Sequence, residues 1–104
     1  MKIVRVTYTT SAKFAAQNQT NIKNVMEDLQ KLNNASIFYN VGMESDQKTF
    51  LHTAFFKDEH GQQVLFDLPS LKNFQEELKS SGPEVSPKQE LLSLVDSSNV
   101  IFNP

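Results

Sequence analysis

The sequence predicts an α+β fold with the element order β-α-β-β-α-β, and three patterns along its 104 residues indicate it. Apolar and polar residues alternate from residue 3 to residue 9, which is the period of a half-buried strand. Apolar residues then recur at helical spacing up to Leu32, and a second helical stripe follows Pro69. Strand-like runs lie between and after these stripes. The order predicts a ferredoxin-like sandwich with an antiparallel sheet, built as a single domain over residues 1–104.

The long helix is expected over about residues 12–32. Thr10 or Ser11 can cap its start, and Asn33 is a plausible end because asparagine tolerates the left-handed conformation. The helical stripe is apolar except at Asn18, which shares its phase.

Residues 36–42 and 48–57 alternate as strands, and the polar residues 44–47 between them predict an antiparallel hairpin. The second of these strands carries apolar side chains on both faces: Phe50, His52, Ala54 and Phe56 on one, and Leu51, Thr53 and Phe55 on the other. Two helices can cover only one face of a sheet. A second copy of the chain is therefore expected to cover the other face, forming a homodimer.

After the hairpin, residues 58–61 are expected to break the strand. The apolar run at residues 64–66 is expected to form a short helical turn. A helix follows from Pro69 and ends at Gly82, with Pro83 preventing its continuation.

The last part of the chain is more ambiguous. Residues 84–87 should be extended. Residues 90–96 fit a strand, which the sheet needs as its fourth member, although the pattern at residues 86–89 also fits a helix start. The apolar tail, residues 100–102, is expected to dock on a subunit interface.

Composition excludes several classes of function. Cysteine is absent, so disulfides and thiolate metal sites are impossible, and the two histidines have no ligand spacing; no metal or other cofactor is expected. The net charge of −2 disfavours nucleic-acid binding. The sequence shows no signal peptide and no apolar run long enough to span a membrane, so a cytoplasmic protein is expected.

The chain resembles the dimeric α+β barrel superfamily, and within it the proteins similar to antibiotic biosynthesis monooxygenases. The resemblance rests on the segments KIVRVTYTT, FAAQNQTNIKNVMEDLQKL, SIFYNVGMESDQKTFLHTAFFKDE and LPSLKNFQEELKSSGP. It implies two sheets closing into a barrel. It also implies cofactor-independent oxidation of a small aromatic or quinol by molecular oxygen, as several relatives perform. At the family's glutamate position this chain has Ala54, at its histidine position it has residues 64–65, Val and Leu, and it has no tryptophan, so no catalytic residue is carried over.

His52 is the candidate catalytic residue, because a neutral imidazole in an apolar pocket could accept a proton from a bound aromatic diol. The alternative is a core histidine satisfied by its neighbours, which is the more common case for a lone histidine.

Asn18, Tyr8, Tyr39 and Phe50 are the candidate substrate-binding residues. A buried amide needs partners, and a ligand oxygen could be one; a structural hydrogen bond is the alternative. The two tyrosines could place hydroxyls near a ligand or could be core aromatics. Asn21 is expected on the flank of the helix, and His60 in an exposed turn.

Two functions therefore remain open. One is a cofactor-independent monooxygenase for a small aromatic or quinol. The other is a non-catalytic small-molecule-binding or stress-associated dimer that uses the same pocket. An RNA-recognition domain shares the strand order, but the run KTFLHTAF (residues 48–55) lacks the glycine and a stacking aromatic of the RNA-binding motif.

Overall fold

The computed structural model describes residues 1–103, and its elements follow the order β-α-β-β-α-α-β. Four strands and three helices are formed: β1 Lys2–Thr9, α1 Ala15–Leu32, β2 Ile37–Met43, β3 Thr49–Phe56, α2 Glu59–Phe66, α3 Pro69–Ser80 and β4 Val85–Leu92. The strands form one antiparallel sheet in the order β2-β3-β1-β4. The predicted ferredoxin-like α+β fold is confirmed, with one additional helix. No helix within residues 1–103 has the length and apolar character needed to cross a membrane.

The two central strands fix which side chains face the helices. β1 pairs with β3 so that Val4 lies opposite Ala54, Val6 opposite His52 and Tyr8 opposite Phe50. Directly paired residues share a face of the sheet, and these face the helices. The hydrophobic core lies between this face and the helical layer, and from the helices it includes Val25, Leu65, Leu71, Phe74 and Leu78.

Helix α1 begins at Ala15, three residues later than expected. Residues 12–14 form a turn instead, in which the backbone N–H of Phe14 donates to both the carbonyl and the hydroxyl oxygen of Ser11. Ser11 therefore caps this turn and not the helix, which has no side-chain cap. Asn33 ends the helix in the left-handed conformation, as predicted.

The expected short turn at residues 64–66 is in fact the end of an eight-residue helix, α2. Asp58 is its N-cap and accepts a hydrogen bond from the backbone N–H of Gly61. His60, which was expected in an exposed turn, is exposed but lies in the first turn of this helix. Gly82 follows α3 with φ of 69°, which is the expected glycine conformation beyond a helix end.

The fourth strand exists, but it lies earlier in the chain than expected. β4 runs from Val85 to Leu92, so it includes residues 85–87 of the stretch predicted to be extended and stops before residues 93–96. Its pairing with β1, from Ile3 opposite Leu92 to Thr9 opposite Val85, determines this position. In the tail, Val100 is 77% exposed while Ile101 and Phe102 are partly buried, near Met1 and Lys57 of the same chain.

The face of the sheet that points away from the helices is only partly covered. Phe38 and Phe55 lie opposite each other on β2 and β3, with their rings edge to face at a centroid distance of 5.8 Å. Phe38 is 53% exposed, and Leu92 on β4 is 42% exposed. The chain alone thus leaves an apolar patch on this face.

Gly61 allows α2 to lie directly against the start of β2. A Cβ atom at this position would be 3.0 Å from the carbonyl oxygen of Ser36 and 3.4 Å from Ile37 Cγ1. The carbonyl cannot easily move, because it accepts a hydrogen bond from the backbone N–H of Lys57. We expect Gly61→Val to lower the free energy of unfolding by about 2 kcal/mol through overpacking. Urea denaturation measures this, with Gly42→Ala as the control.

Gly42 lies on β2, where a Cβ atom would meet nothing within 4 Å. We expect Gly42→Ala to leave the free energy of unfolding unchanged or slightly raised.

Equal stability of Gly61→Val and the wild type would show that α2 does not need its close approach to the start of β2.

Candidate functional site

The centre of the candidate site is the side chain of His52, which lies in the middle of β3 and faces the helices. Both of its ring nitrogens have a tyrosine hydroxyl as partner. Nε2 lies 2.7 Å from the hydroxyl oxygen of Tyr8, and Nδ1 lies 2.5 Å from that of Tyr39. Tyr8 and Tyr39 come from β1 and β2, the strands on either side of β3, so the sheet order itself brings the three rings together.

Helix α1 adds a fourth polar group. Asn18 is fully buried, and its amide Nδ2 donates a hydrogen bond of 2.8 Å to the hydroxyl oxygen of Tyr8. Asn18 Oδ1 has no hydrogen-bond partner. The result is a continuous polar chain through the core, Asn18–Tyr8–His52–Tyr39, which we call the relay.

The surroundings of the relay keep its groups neutral. His52 is 5% exposed and packs against Phe74, with ring centroids 5.3 Å apart. Burial lowers the pKa of His52 from 6.5 to about 4, because no charged partner stabilises the imidazolium. Burial also raises the pKa of Tyr8 and that of Tyr39 well above their usual range; the hydrogen bond from Asn18 opposes this for Tyr8. At neutral pH the relay therefore contains an uncharged imidazole between two phenols.

A cavity of about 110 Å³ lies against the relay, between the sheet and helices α2 and α3. Tyr8, His52 and Tyr39 form its polar side, and most of the remaining wall is apolar: Val4, Val6, Ala54, Phe56, Leu65, Phe66, Leu71 and Phe74. An apolar cavity of about 150 Å³ is sufficient for benzene in another protein, so this space is slightly small for one aromatic ring. Pockets for larger ligands are usually about 300–1,000 Å³.

The structure brings together four of the five residues selected from sequence, which form the relay. Three of them, His52, Tyr8 and Tyr39, line the cavity, whereas Asn18 lies behind Tyr8 and does not line it. Phe50 does not line the cavity, since it stacks on the far side of Tyr8 with ring centroids 5.6 Å apart.

Asn21 was expected on the flank of α1, and this was wrong. It is 2% exposed, because it lies one turn after Asn18 on the same helix face. Its Oδ1 accepts a hydrogen bond from Gln17, while its Nδ2 has no partner.

Two glutamines at the cavity were not found from sequence. Gln75 on α3 and Gln89 on β4 line it and are themselves exposed, so they place amides at its open edge. Gln89 could have been found from its pairing opposite Val6, but this pairing can be predicted only when the position of β4 is correct. Within residues 1–103, no group of three or more His, Cys, Asp or Glu side chains is placed to hold a metal ion.

Chemically, the relay can move a proton and orient a ligand oxygen. Tyr8, His52 and Tyr39 can each donate one hydrogen bond while accepting another, so a proton displacement at one of them can be matched at the next, whereas Asn18 only donates to Tyr8. With its pKa near 4, His52 is a weak base and does not retain a proton at neutral pH. It is thus suited to a short-lived transfer, or to holding Tyr8 and Tyr39 in position.

Comparison with solved structures identifies the architecture. A Deinococcus radiodurans protein assigned to the antibiotic biosynthesis monooxygenases superimposes with a TM-score of 0.74 and 19% identity, over 96% of this chain and 98% of that one. A similarly assigned Nitrosomonas europaea protein gives a TM-score of 0.77 at 8% identity, over 92% and 100% of the two chains. The chain shares their fold. A cofactor-independent oxygenase from Streptomyces nogalater also has this fold, with a TM-score of 0.66, 10% identity, and coverage of 93% and 94%.

These similarities confirm the resemblance found in the sequence at the level of the fold. No protein-family model and no curated protein sequence matches the chain.

The low pKa of His52 should make folding stability depend on pH. Between about pH 6.5 and pH 4 the unfolded chain binds a proton that the folded chain does not, so stability is lost as the pH falls through this window. The full difference amounts to about 3 kcal/mol. Urea unfolding of the wild type and of His52→Gln across this range should show a smaller loss in the variant. Parallel curves for the two proteins would mean that His52 titrates normally.

Proposed function

We propose that the protein is a cofactor-independent monooxygenase that oxidises a small aromatic or quinol in the cavity against the relay. One observation carries this proposal: a neutral imidazole, held at both nitrogens by phenols, forms the polar side of an otherwise apolar cavity. The fold shared with a cofactor-independent oxygenase supports it.

The chemistry needs no external reductant. A hydroxyl group of the bound quinol loses its proton, and the resulting phenolate, which carries negative charge on its ortho and para ring carbons, transfers electrons to oxygen. One oxygen atom forms a new carbonyl on a ring carbon, the other leaves as water, and the substrate supplies the electrons: for the simplest quinol, C₆H₆O₂ + O₂ gives C₆H₄O₃ + H₂O. Apolar walls favour dissolved oxygen. His52 is placed to act on the ligand through the hydroxyl of Tyr39, which lines the cavity, because both of its ring nitrogens are bonded to tyrosines.

The cavity size limits the substrate. At about 110 Å³, it accepts a single ring only with a small expansion. A polycyclic substrate would require helices α2 and α3 to move away from the sheet. Single-ring quinols are therefore the proposed substrate class.

Aerobic turnover of a panel of single-ring quinols tests this function. We expect oxygen consumption by the wild type and a loss of about 100-fold or more in His52→Gln, the range for removal of a proton-transfer group. His60→Gln is the matched control, because His60 is exposed on α2 and lies outside the cavity. Equal rates in the wild type and His52→Gln would remove His52 from the mechanism.

A non-catalytic ligand-binding or stress-associated protein is the second candidate. The weak basicity of His52 and the small cavity favour it, because both suit recognition of a ligand without proton abstraction. A single-ring ligand that binds and is recovered chemically unchanged under oxygen would support this candidate over the first.

We further propose that the chain acts as a homodimer in which the open face of the sheet is covered by a second copy. The support is the apolar patch around Phe38, Phe55 and Leu92, with Phe38 more than half exposed. A contiguous apolar patch of this kind is typical of a protein interface.

Light scattering across a dilution series tests the dimer. We expect the wild type to have twice the mass of one chain. The Phe38→Glu dimer should dissociate at a higher protein concentration than the wild-type dimer, because the new carboxylate would be buried without a partner. Leu32→Glu is the control: Leu32 is 51% exposed but lies at the end of α1 in the helical layer. A monomeric wild type at all concentrations would disprove the dimer.

A further inference from the structure

The hydrogen bonds of the relay run in one direction along the chain of four residues, and that direction follows from a count of its hydrogen atoms. Each tyrosine hydroxyl has one hydrogen, and the neutral imidazole of His52 has one hydrogen shared between two ring nitrogens. Among residues 1–103 the Tyr8 hydroxyl contacts only Asn18 and His52, so if its oxygen accepted from both, its own buried hydrogen would have no acceptor. Only two arrangements make all three contacts hydrogen bonds without leaving that hydrogen unpaired. They differ in whether the protons point towards Tyr39 or towards Asn18.

In the first arrangement the amide of Asn18 donates to Tyr8, as the structure has it. The hydroxyl of Tyr8 has already accepted a hydrogen bond, and its own hydrogen goes to Nε2 of His52. The imidazole hydrogen must then be on Nδ1, which donates to the oxygen of Tyr39. The hydroxyl hydrogen of Tyr39 is left for a further acceptor.

In the second arrangement every step is reversed. Tyr39 donates to Nδ1, Nε2 donates to Tyr8, and Tyr8 donates to an oxygen of Asn18. This requires the Asn18 amide to be rotated by half a turn, so that Oδ1 takes the position of Nδ2.

The surroundings of Asn18 favour the first arrangement. In the observed orientation one amide hydrogen bonds to Tyr8, and the second hydrogen and the oxygen are unpartnered among residues 1–103. In the rotated orientation the oxygen would accept from Tyr8, and both amide hydrogens would need other acceptors in a fully buried position. Unpaired buried N–H groups are rarer than under-satisfied carbonyl oxygens. The observed orientation also sets the free acceptor Asn18 Oδ1 one helical turn from the free donor Asn21 Nδ2, which are complementary groups. After rotation both free groups would be donors.

We propose that Tyr39 is a hydrogen-bond donor to the cavity ligand, and that Asn18 is the positioning residue that fixes this polarity through Tyr8 and His52. The ligand must therefore present an acceptor, either a carbonyl oxygen or a phenolate, at Tyr39. This ligand class rests on the proposed use of the cavity, whereas the polarity of the relay does not. Tyr39 lines the cavity and is partly exposed, and among residues 1–103 its hydroxyl has no hydrogen-bond partner other than His52.

The tautomer of His52 tests the polarity without any ligand. Long-range proton–nitrogen NMR spectra of the imidazole distinguish a protonated from a bare ring nitrogen. The chain has two histidines, so His60→Gln leaves His52 as the single signal. We expect hydrogen on Nδ1 and a bare Nε2 at neutral pH. Hydrogen on Nε2, or a comparable mixture of both tautomers, would overturn the proposal.

Asn18→Asp should reverse the relay. An ionised carboxylate accepts and cannot donate, so Tyr8 must donate to it and Nε2 of His52 must carry a hydrogen. We expect Nε2 to become protonated in Asn18→Asp, while Asn21→Asp, one turn away and also buried, should leave the tautomer unchanged. An unchanged tautomer in a folded Asn18→Asp, at a pH where the carbon chemical shift of the new carboxyl shows it to be ionised, would show that Asn18 does not set the polarity. If Asn18→Asp does not fold, the tautomer of His52 in the wild type still tests the polarity of the relay.

A pair of single-ring probes tests the ligand class. Pyridine N-oxide presents an acceptor oxygen and no donor, and benzene presents neither. We expect the ratio of their affinities, N-oxide over benzene, to fall about five-fold in Tyr39→Phe, the usual effect of one lost neutral hydrogen bond. An unchanged ratio would overturn the donor role of Tyr39. If neither probe binds, the ligand class and the proposed function fail together, and the tautomer result stands separately.

Discussion

The hydroxyl group of Tyr8 is the constraint on which the rest of the structure depends. It is buried, and it joins helix α1 to the sheet by accepting from Asn18 while also contacting His52 on the next strand. A buried polar group left unpaired is costly, so the helix position and the strand register must both satisfy this one oxygen. A slip of one residue between β1 and β3 would turn His52 to the opposite face and leave Tyr8 unpaired. The relay thus fixes one arrangement of the helices on the sheet, whereas apolar contacts alone would allow this arrangement to vary.

The strand and helix order was predictable because each main element carries a clear period. The alternation in β1 and β3 and the stripe of α1 indicated the right faces, and Asn33 and Gly82 marked two helix ends correctly. Two boundaries failed for local reasons. Gly61 and its polar neighbours hide the helical character of α2, although Asp58 provides a normal N-cap. Leu92, Leu94 and Val95 fitted the fourth strand that the sheet needs, but β4 is placed by its pairing with β1 and ends at Leu92.

The members of the candidate site were predictable, but their connections were not. His52 and Asn18 are each the polar exception in an apolar pattern, which is visible from one sequence. Their link through Tyr8 depends on strand register, since Tyr8 and Tyr39 are diagonal and not direct neighbours of His52. Gln89 was missed for the same reason, because its place at the cavity depends on the register of β4. Asn21 was assigned to the wrong helix face because its exposure depends on what packs against α1.

The size of the resting cavity has a kinetic consequence. Its walls include buried core side chains of helices α2 and α3, among them Leu65, Leu71 and Phe74, so the space grows only if these helices shift relative to the sheet. A ring larger than the resting cavity would therefore bind in two steps, first at the open edge beside Gln75 and Gln89 and then inside. The observed association rate would stop rising with ligand concentration once the helix shift becomes the slow step.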